Sequence, residues 1–115
     1  MNRFELAYIH LIEPRVAGNA EAAQLDASLS SRNFKPLISV DTKLISNGGH
    51  TLASGTEAVQ SDEADAIAWG RQFIANPDLV ERFAMNAPLN PYDRATFYGG
   101  TEKGYTDYPF YAATV

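Results

Sequence analysis

The sequence predicts an α/β fold built on a parallel sheet. Apolar segments of strand length recur around residues 6–12, 43–47 and 64–69, and each is followed by a run compatible with a helix. The second and third segments end in Gly48-Gly49 and Gly70-Arg71. Strand–helix units in series imply right-handed crossovers within one sheet. A chain of 115 residues suits a single core, and 45% apolar with 20% charged residues is close to the average for soluble globular chains.

The first segment, 6–12, is nearly continuous in apolar character, as expected for a strand buried on both faces of a parallel sheet, and Pro14 stops it. An Ala-rich stretch from about Ala20 to Ser31 is read as the first helix, with Asn19 as its cap and Ala22, Leu25 and Leu29 at helical spacing. Two apolar pieces, 36–40 and 43–47, compete for the second strand. The latter is preferred because it runs straight into Gly48-Gly49, where backbone can approach a ligand. A helix is expected over 52–62, capped by Thr51 or by a capping box from Ser54 to Glu57.

The third unit is a small-residue strand over 64–69, ending in Gly70-Arg71. A helix opens at Asn76-Pro77-Asp78, with Asn76 as cap and Pro77 in the first helical position. Leu79, Val80 and Phe83 form its expected buried stripe, and Pro88 ends it. Residues 1–86 thus hold three βα units. Residues 87–115 form a tail crowded with Pro, Gly and aromatics that needs a surface to cover or a function.

A net charge of −5 argues against a sequence-independent grip on nucleic-acid phosphates. No apolar run approaches the length that spans a bilayer, and no signal-peptide core comes after the N-terminus, so the expected compartment is the cytoplasm. The absence of cysteine removes disulfides and thiolate chemistry, and two isolated histidines make a His-rich metal site improbable.

Gly48, Gly49, Gly70 and Arg71 sit one strand–helix unit apart at strand ends. In a (βα)8 barrel the loops after the last two strands commonly bind phosphate through backbone N–H groups, and an arginine adds a permanent forked charge. On these four residues alone, ordinary turns and a surface ion pair for Arg71 compete with that reading and have the edge.

The chain resembles the old yellow enzyme family along almost its whole length. The carrying motifs are Tyr8-Ile9-His10-Leu11-Ile12-Glu13-Pro14-Arg15-Val16, Asn47-Gly48-Gly49, and Ala68-Trp69-Gly70-Arg71-Gln72-Phe73-Ile74-Ala75-Asn76-Pro77-Asp78-Leu79. Pro88-Leu89-Asn90, Asp93-Arg94, Thr96-Phe97-Tyr98-Gly99-Gly100 and Gly104-Tyr105-Thr106-Asp107-Tyr108-Pro109 come after them in order. The resemblance implies a (βα)8 barrel holding FMN, which a nicotinamide cofactor, NADH or NADPH, reduces and which passes hydride to an activated alkene. It matches strands six to eight and the C-terminal tail, the end of a TIM barrel.

By the same resemblance, Gly48, Gly49, Gly70 and Arg71 bind the FMN phosphate, while Tyr98, with Phe97 beside it, borders the flavin and substrate cavity; simple tail packing is the plainer role for Tyr98. No catalytic role is assigned to His10, because the family's substrate-binding pair lies on an earlier strand. His50 is expected either near the flavin edge or facing solvent. Glu13, Pro14 and Arg15 read as structural residues at a strand end, with an ion pair between them and, less favoured, a catalytic role as the alternatives. Asp62, Glu63 and Asp65 read as a solvated helix end.

A complete barrel takes about 250 residues. The chain is therefore expected to be truncated, to act as part of a catalyst, and to be inactive alone. Open strand edges and an inner face lacking its opposing layers should drive self-association or pairing with a complementary N-terminal barrel segment. A noncatalytic anion- or nucleotide-binding module and an inactive gene remnant are the alternatives.

Overall fold

A computed structural model describes residues 3–17, 20, 21 and 27–112. The chain forms two compact units, Met1–Ala68 and Trp69–Val115. Among the described residues no helix is long and apolar enough to cross a membrane.

The first unit is built on three parallel strands: β1 (Tyr8–Ile12), β4 (Lys43–Asn47) and β5 (Ala66–Ala68), in the order β1-β4-β5. Between β1 and β4 lies a small antiparallel pair, β2 (Val16–Ala17) and β3 (Ala20–Glu21). The preferred segment for the second strand is thus the one that pairs. The competing stretch begins instead as a 3₁₀ turn over Lys35–Leu37, with Pro36 in its first positions, where a missing N–H costs nothing.

Side chains alternate across a strand, so parallel register sorts the sheet into two faces. Tyr8 with Lys43, His10 with Ile45 and Ala66, and Ile12 with Asn47 and Ala68 share one face. Leu44 and Ser46 lie on the other and are fully buried. Tyr8 and Ile12 are 58% and 63% exposed. The expectation that the first strand is buried on both faces is therefore corrected: within this unit only one face is covered.

Helix α2 (Leu52–Gln60) packs against β5 and buries Gly55 and Ala58. Its cap is Thr51, as one of the two expectations had it. The Thr51 hydroxyl accepts from Ser54 N–H at 3.1 Å, and the Ser54 hydroxyl accepts from Thr51 N–H at 2.9 Å. This reciprocal pair satisfies two donors that the first turn would otherwise leave open, and Glu57 is not needed for it.

The helix expected from Ala20 is corrected. Ala20 and Glu21 pair as a strand with Val16 and Ala17; Asn19, Ala22 and Leu25 lie outside the described residues. Among the described residues the next elements are a 3₁₀ turn at Ala27–Leu29 and the short helix α1 (Ser31–Phe34). Backbone pairing with a neighbouring segment outweighs the weak preference of an Ala-rich stretch for helix.

The expected solvated acids also have partners. Glu63 pairs with Arg32 at 2.7 Å, and Asp65 with Lys35. Asp65 also accepts from Leu44 N–H at 2.7 Å. Burial opposes its charge, but the Lys35 and Leu44 hydrogen bonds prevail and hold its carboxyl below the ordinary value.

The second unit holds α3 (Arg71–Ala75), α4 (Leu79–Met85) and the tail. Its centre is polar. Asn76, fully buried, donates to the carbonyls of Gln72 at 2.8 Å and Asn90 at 3.3 Å, and accepts from Asn90 N–H at 2.7 Å. It comes directly after α3 and joins the tail to it, so its expected role as cap of the next helix is corrected; Asp78 holds that position.

Arg82 is 3% exposed. Its guanidinium donates to Asp78 at 2.7 Å and to the carbonyls of Pro88 at 2.6 Å and Pro109 at 2.9 Å. Asp78 in turn accepts from Tyr111 N–H at 2.7 Å. The expected apolar stripe of α4 is therefore only partly right. Leu79 is buried and Phe83 meets Trp69 edge-on at 4.8 Å, but Val80 is 65% exposed and Arg82 takes the inner place. Asn86 closes the helix in the left-handed conformation, φ 52°, which asparagine tolerates.

Candidate functional site

Strands β1 and β4 end side by side, with Ile12 opposite Asn47, and β5 ends at Ala68, also opposite Asn47. All three segments run the same way, so the chain leaves the sheet at one edge each time. The segments that leave it there are Glu13–Arg15 after β1 and Gly48–His50 after β4, and β5 ends at Ala68 with the first unit.

The turn after β4 requires glycine. Gly48 has φ +107° and Gly49 φ +71°, a region that side chains rarely enter. A Cβ on Gly48 would also stand 3.2 Å from Glu13 N and 3.3 Å from its carbonyl oxygen. The backbones at the ends of β1 and β4 approach closely because Glu13 N–H donates to the Asn47 carbonyl at 2.7 Å.

Side chains reinforce that approach. Arg15 donates through Nε to the Gly48 carbonyl at 2.7 Å and places Nη2 3.2 Å from each ring nitrogen of His50. Ser46 donates to Glu13 at 3.0 Å and stands 3.1 Å from His50 Nε2; Ser54 Oγ lies 3.4 Å from Nδ1. Glu13 further accepts from Ser31 N–H at 3.1 Å and from the Ser31 hydroxyl. Glu13, Arg15, Ser31 and His50 line a common cleft. His50 is thus half-buried in a polar cluster, and the strand-end residues Glu13 and Arg15, read from sequence as structural, are members of it.

Burial, then the neighbouring Arg15 guanidinium, keeps His50 below its ordinary 6.5 and favours the neutral ring. For Glu13 burial pushes upward, but hydrogen bonds from Ser31 and Ser46 outweigh it, and the carboxyl lies below its ordinary 4.5. Both groups bind protons more readily when unfolded. Each therefore contributes stability that is complete above its unfolded value and is lost as pH falls through the lower folded one. The first unit is expected to weaken as pH drops below 6.5 and again below 4.5. Urea midpoints that hold steady across this range, or a His50→Gln variant with the same first decline, contradict the assignment.

Gly70 and Arg71 open the second unit. Gly70 has φ −96°, and a Cβ added there meets no atom within 4 Å, so neither strain nor packing by the chain itself demands glycine. Arg71 is the first residue of α3; its Nη1 donates to the Tyr92 hydroxyl at 3.2 Å and its guanidinium carbon lies 5.2 Å from the Tyr92 ring centre. Phe97 stacks on the same Tyr92 at 5.9 Å. Tyr98 is 83% exposed, with φ +57°, and its N–H donates to the Tyr105 hydroxyl at 2.8 Å. A bulky aromatic at positive φ is a genuine backbone outlier.

Two residues that sequence reasoning passed over are Tyr92, whose hydroxyl accepts from Arg71 in the second unit, and Asn47 in the first. Among the described residues the carboxamide oxygen of Asn47 is buried without a hydrogen-bond partner. Its position immediately before the glycine pair is the one signal that marks it.

The model of the NADH:flavin oxidoreductase / NADH oxidase family matches residues 1–90. The chain is 42% identical over 117 residues to 12-oxophytodienoate reductase 2 of Arabidopsis thaliana, covering 99% of this chain and 30% of that protein. It is 46% identical over 110 residues to 12-oxophytodienoate reductase 7 of Oryza sativa subsp. japonica, covering 91% of this chain and 28% of that protein. Among solved structures, morphinone reductase in complex with tetrahydroNAD superposes with a TM-score of 0.77 at 38% identity, over 97% of this chain and 28% of the enzyme. The old yellow enzyme from Trypanosoma cruzi superposes with a TM-score of 0.80 at 31% identity, over 96% and 27%. These solved relatives are TIM barrels, and the chain spans about 30% of the length of the curated relatives it matches.

Proposed function

Because the chain belongs to the NADH:flavin oxidoreductase / NADH oxidase family, we propose that it is the C-terminal, FMN-phosphate-binding part of an NAD(P)H-dependent ene-reductase. On this reading β1, β4 and β5 are the sixth, seventh and eighth barrel strands, and the tail is the C-terminal extension. Gly48, Gly49, Gly70 and Arg71 hold the phosphate, and Phe97 and Tyr98 border the flavin and substrate cavity.

The observation that carries the reading is the ending of β4 and β5 at one register, Asn47 opposite Ala68, each strand leading into a glycine turn. The residues present suit a phosphate monoester. Gly48 and Gly49 form a turn no side chain disturbs, Gly70 has room for close approach, and the Arg71 guanidinium supplies a charge that forks onto two oxygens. Bound FMN would supply hydride transfer, taking hydride from a nicotinamide and passing it to an activated alkene.

The chain's own residues bind and orient; none is assigned the proton-donating step. Competition between FMN and riboflavin, monitored by flavin fluorescence, tests the assignment because the two ligands differ only in the phosphate. Preference for FMN supports it. Equal affinity removes it.

The open sheet face bearing Tyr8 and Ile12 and, among the described residues, the single-sided pairing of β1 and β5 support a second element of the proposal. On this reading the neighbours of this face are a complementary N-terminal barrel segment or, in the chain by itself, a second copy of it. Light scattering is expected to show concentration-dependent association that a polypeptide carrying the preceding strands suppresses. A monomer at every concentration contradicts this element.

A further inference from the structure

We propose that Arg15 is a positioning residue for the phosphate turn, acting by fixing the orientation of the Gly48–Gly49 peptide. The inference rests on the FMN-phosphate reading above. Two consecutive glycines at positive φ make a peptide unit that can rotate at little steric cost, because neither residue carries a side chain to resist it. Rotation would turn the Gly49 N–H away from any anion and present the Gly48 carbonyl oxygen, a repulsive group, in its place.

Arg15 prevents that rotation. Its Nε–H donates to the Gly48 carbonyl oxygen at 2.7 Å, a charge-assisted bond at the short end of the normal range. In a trans peptide the C=O and the next N–H point in opposite directions. Holding the Gly48 carbonyl on Arg15 therefore aims the Gly49 N–H away from Arg15. The guanidinium keeps company with His50, whose ring also meets Ser46, and Ser46 is fully buried on the covered face of the sheet. The Gly49 N–H is thereby turned from the covered side.

The guanidinium is itself held. Nη2 stands 3.2 Å from His50, and the His50 ring is bracketed by the Ser46 and Ser54 hydroxyls. Glu13 anchors Ser46, and its backbone closes on Gly48 from the other side. The support runs from Glu13 through Ser46 and His50 to Arg15 and ends on the Gly48 carbonyl, so on this reading Arg15 acts on FMN through the peptide it fixes.

The test measures affinity for FMN and for riboflavin in the same full chain. Arg15→Met keeps the apolar stem and removes the donor. It is expected to lower the FMN-to-riboflavin preference about tenfold, the effect of one charge-assisted hydrogen bond, with riboflavin affinity unchanged. Arg15→Lys restores one charged donor and should recover most of the preference. A folded Arg15→Met variant that retains the wild-type preference overturns the role, as does equal loss in Met and Lys variants. A general structural role would lower both affinities together.

Should Arg15→Met fail to fold, the amide spectrum of the wild type and of Arg15→Lys decides. Inorganic phosphate must shift the Gly49 N–H in both, and an unmoved Gly49 signal overturns the proposal. Absence of any FMN preference in the wild type is a different outcome, and it removes the FMN reading itself.

Discussion

Arg82→Met is expected to destabilise the second unit by about 3 kcal/mol or more, the range for breaking a buried ion pair by removing one partner. The side chain is 3% exposed and satisfies three acceptors at once: Asp78, the Pro88 carbonyl and the Pro109 carbonyl. Methionine fills much of the same volume but removes the charge that faces the buried Asp78 carboxylate, which is the costly half of the exchange; Asp78 keeps the Tyr111 N–H, and the Pro109 carbonyl the Asn90 carboxamide. The effect should also be local. Pro88 and Pro109 bracket the tail, and Asp78 holds Tyr111, so losing Arg82 frees the segment between them. Urea unfolding should show the drop, and limited proteolysis should cut the variant between residues 88 and 109. A change of a few tenths of a kcal/mol, of the size exposed pairs give, contradicts the clamp.

Arg71→Ala is expected to reduce the preference for FMN over riboflavin about a hundredfold, the loss of a bidentate, charge-assisted contact to phosphate. Tyr92→Phe, which removes the hydroxyl that accepts from Arg71 at 3.2 Å but leaves the ring beneath the guanidinium, should reduce it by a smaller factor. The order of the two effects matters. If Tyr92→Phe costs as much as Arg71→Ala, the hydroxyl and not the guanidinium is the principal contact. An Arg71→Ala variant with undiminished preference for FMN removes Arg71 from the site.

The features legible in the sequence were those that local pattern decides. Residues 43–47 announce a strand by their apolar run into a double glycine, and the structure pairs them at the centre of the sheet. Thr51 announces a helix start because a hydroxyl at that position reaches the N–H three residues on. Gly48 and Gly49 announce a turn, and both adopt positive φ.

The features that stayed hidden were decided by distant partners. Asn76 reads as a helix cap until Asn90, far along the chain, is brought to it. Arg82 drew no reading from the sequence because Pro109 reaches it from far along the chain, although its spacing of four from Asp78 was a usable signal for the pair. Ala20 reads as helix until Ala17 pairs with it. Val80 illustrates the same limit from the other side. It is apolar and at helical spacing, yet the guanidinium of Arg82 occupies the interior.

The strand-end motif Glu13-Pro14-Arg15 was legible only as structural. Its partners, Ser31, Ser46, Gly48 and His50, come from separate stretches of chain, and no periodicity connects them. The family resemblance pointed to the glycine turns and Arg71. The geometry adds the residues that hold those groups in place.

The most direct measurement is the amide spectrum of the chain titrated in parallel with FMN and with riboflavin. Shifts of the Gly48, Gly49 and Gly70 amides and of the Arg71 side-chain N–H with FMN, absent with riboflavin, are the predicted result. FMN that leaves these signals in place, or riboflavin that moves them equally, would contradict a phosphate site at this edge of the sheet.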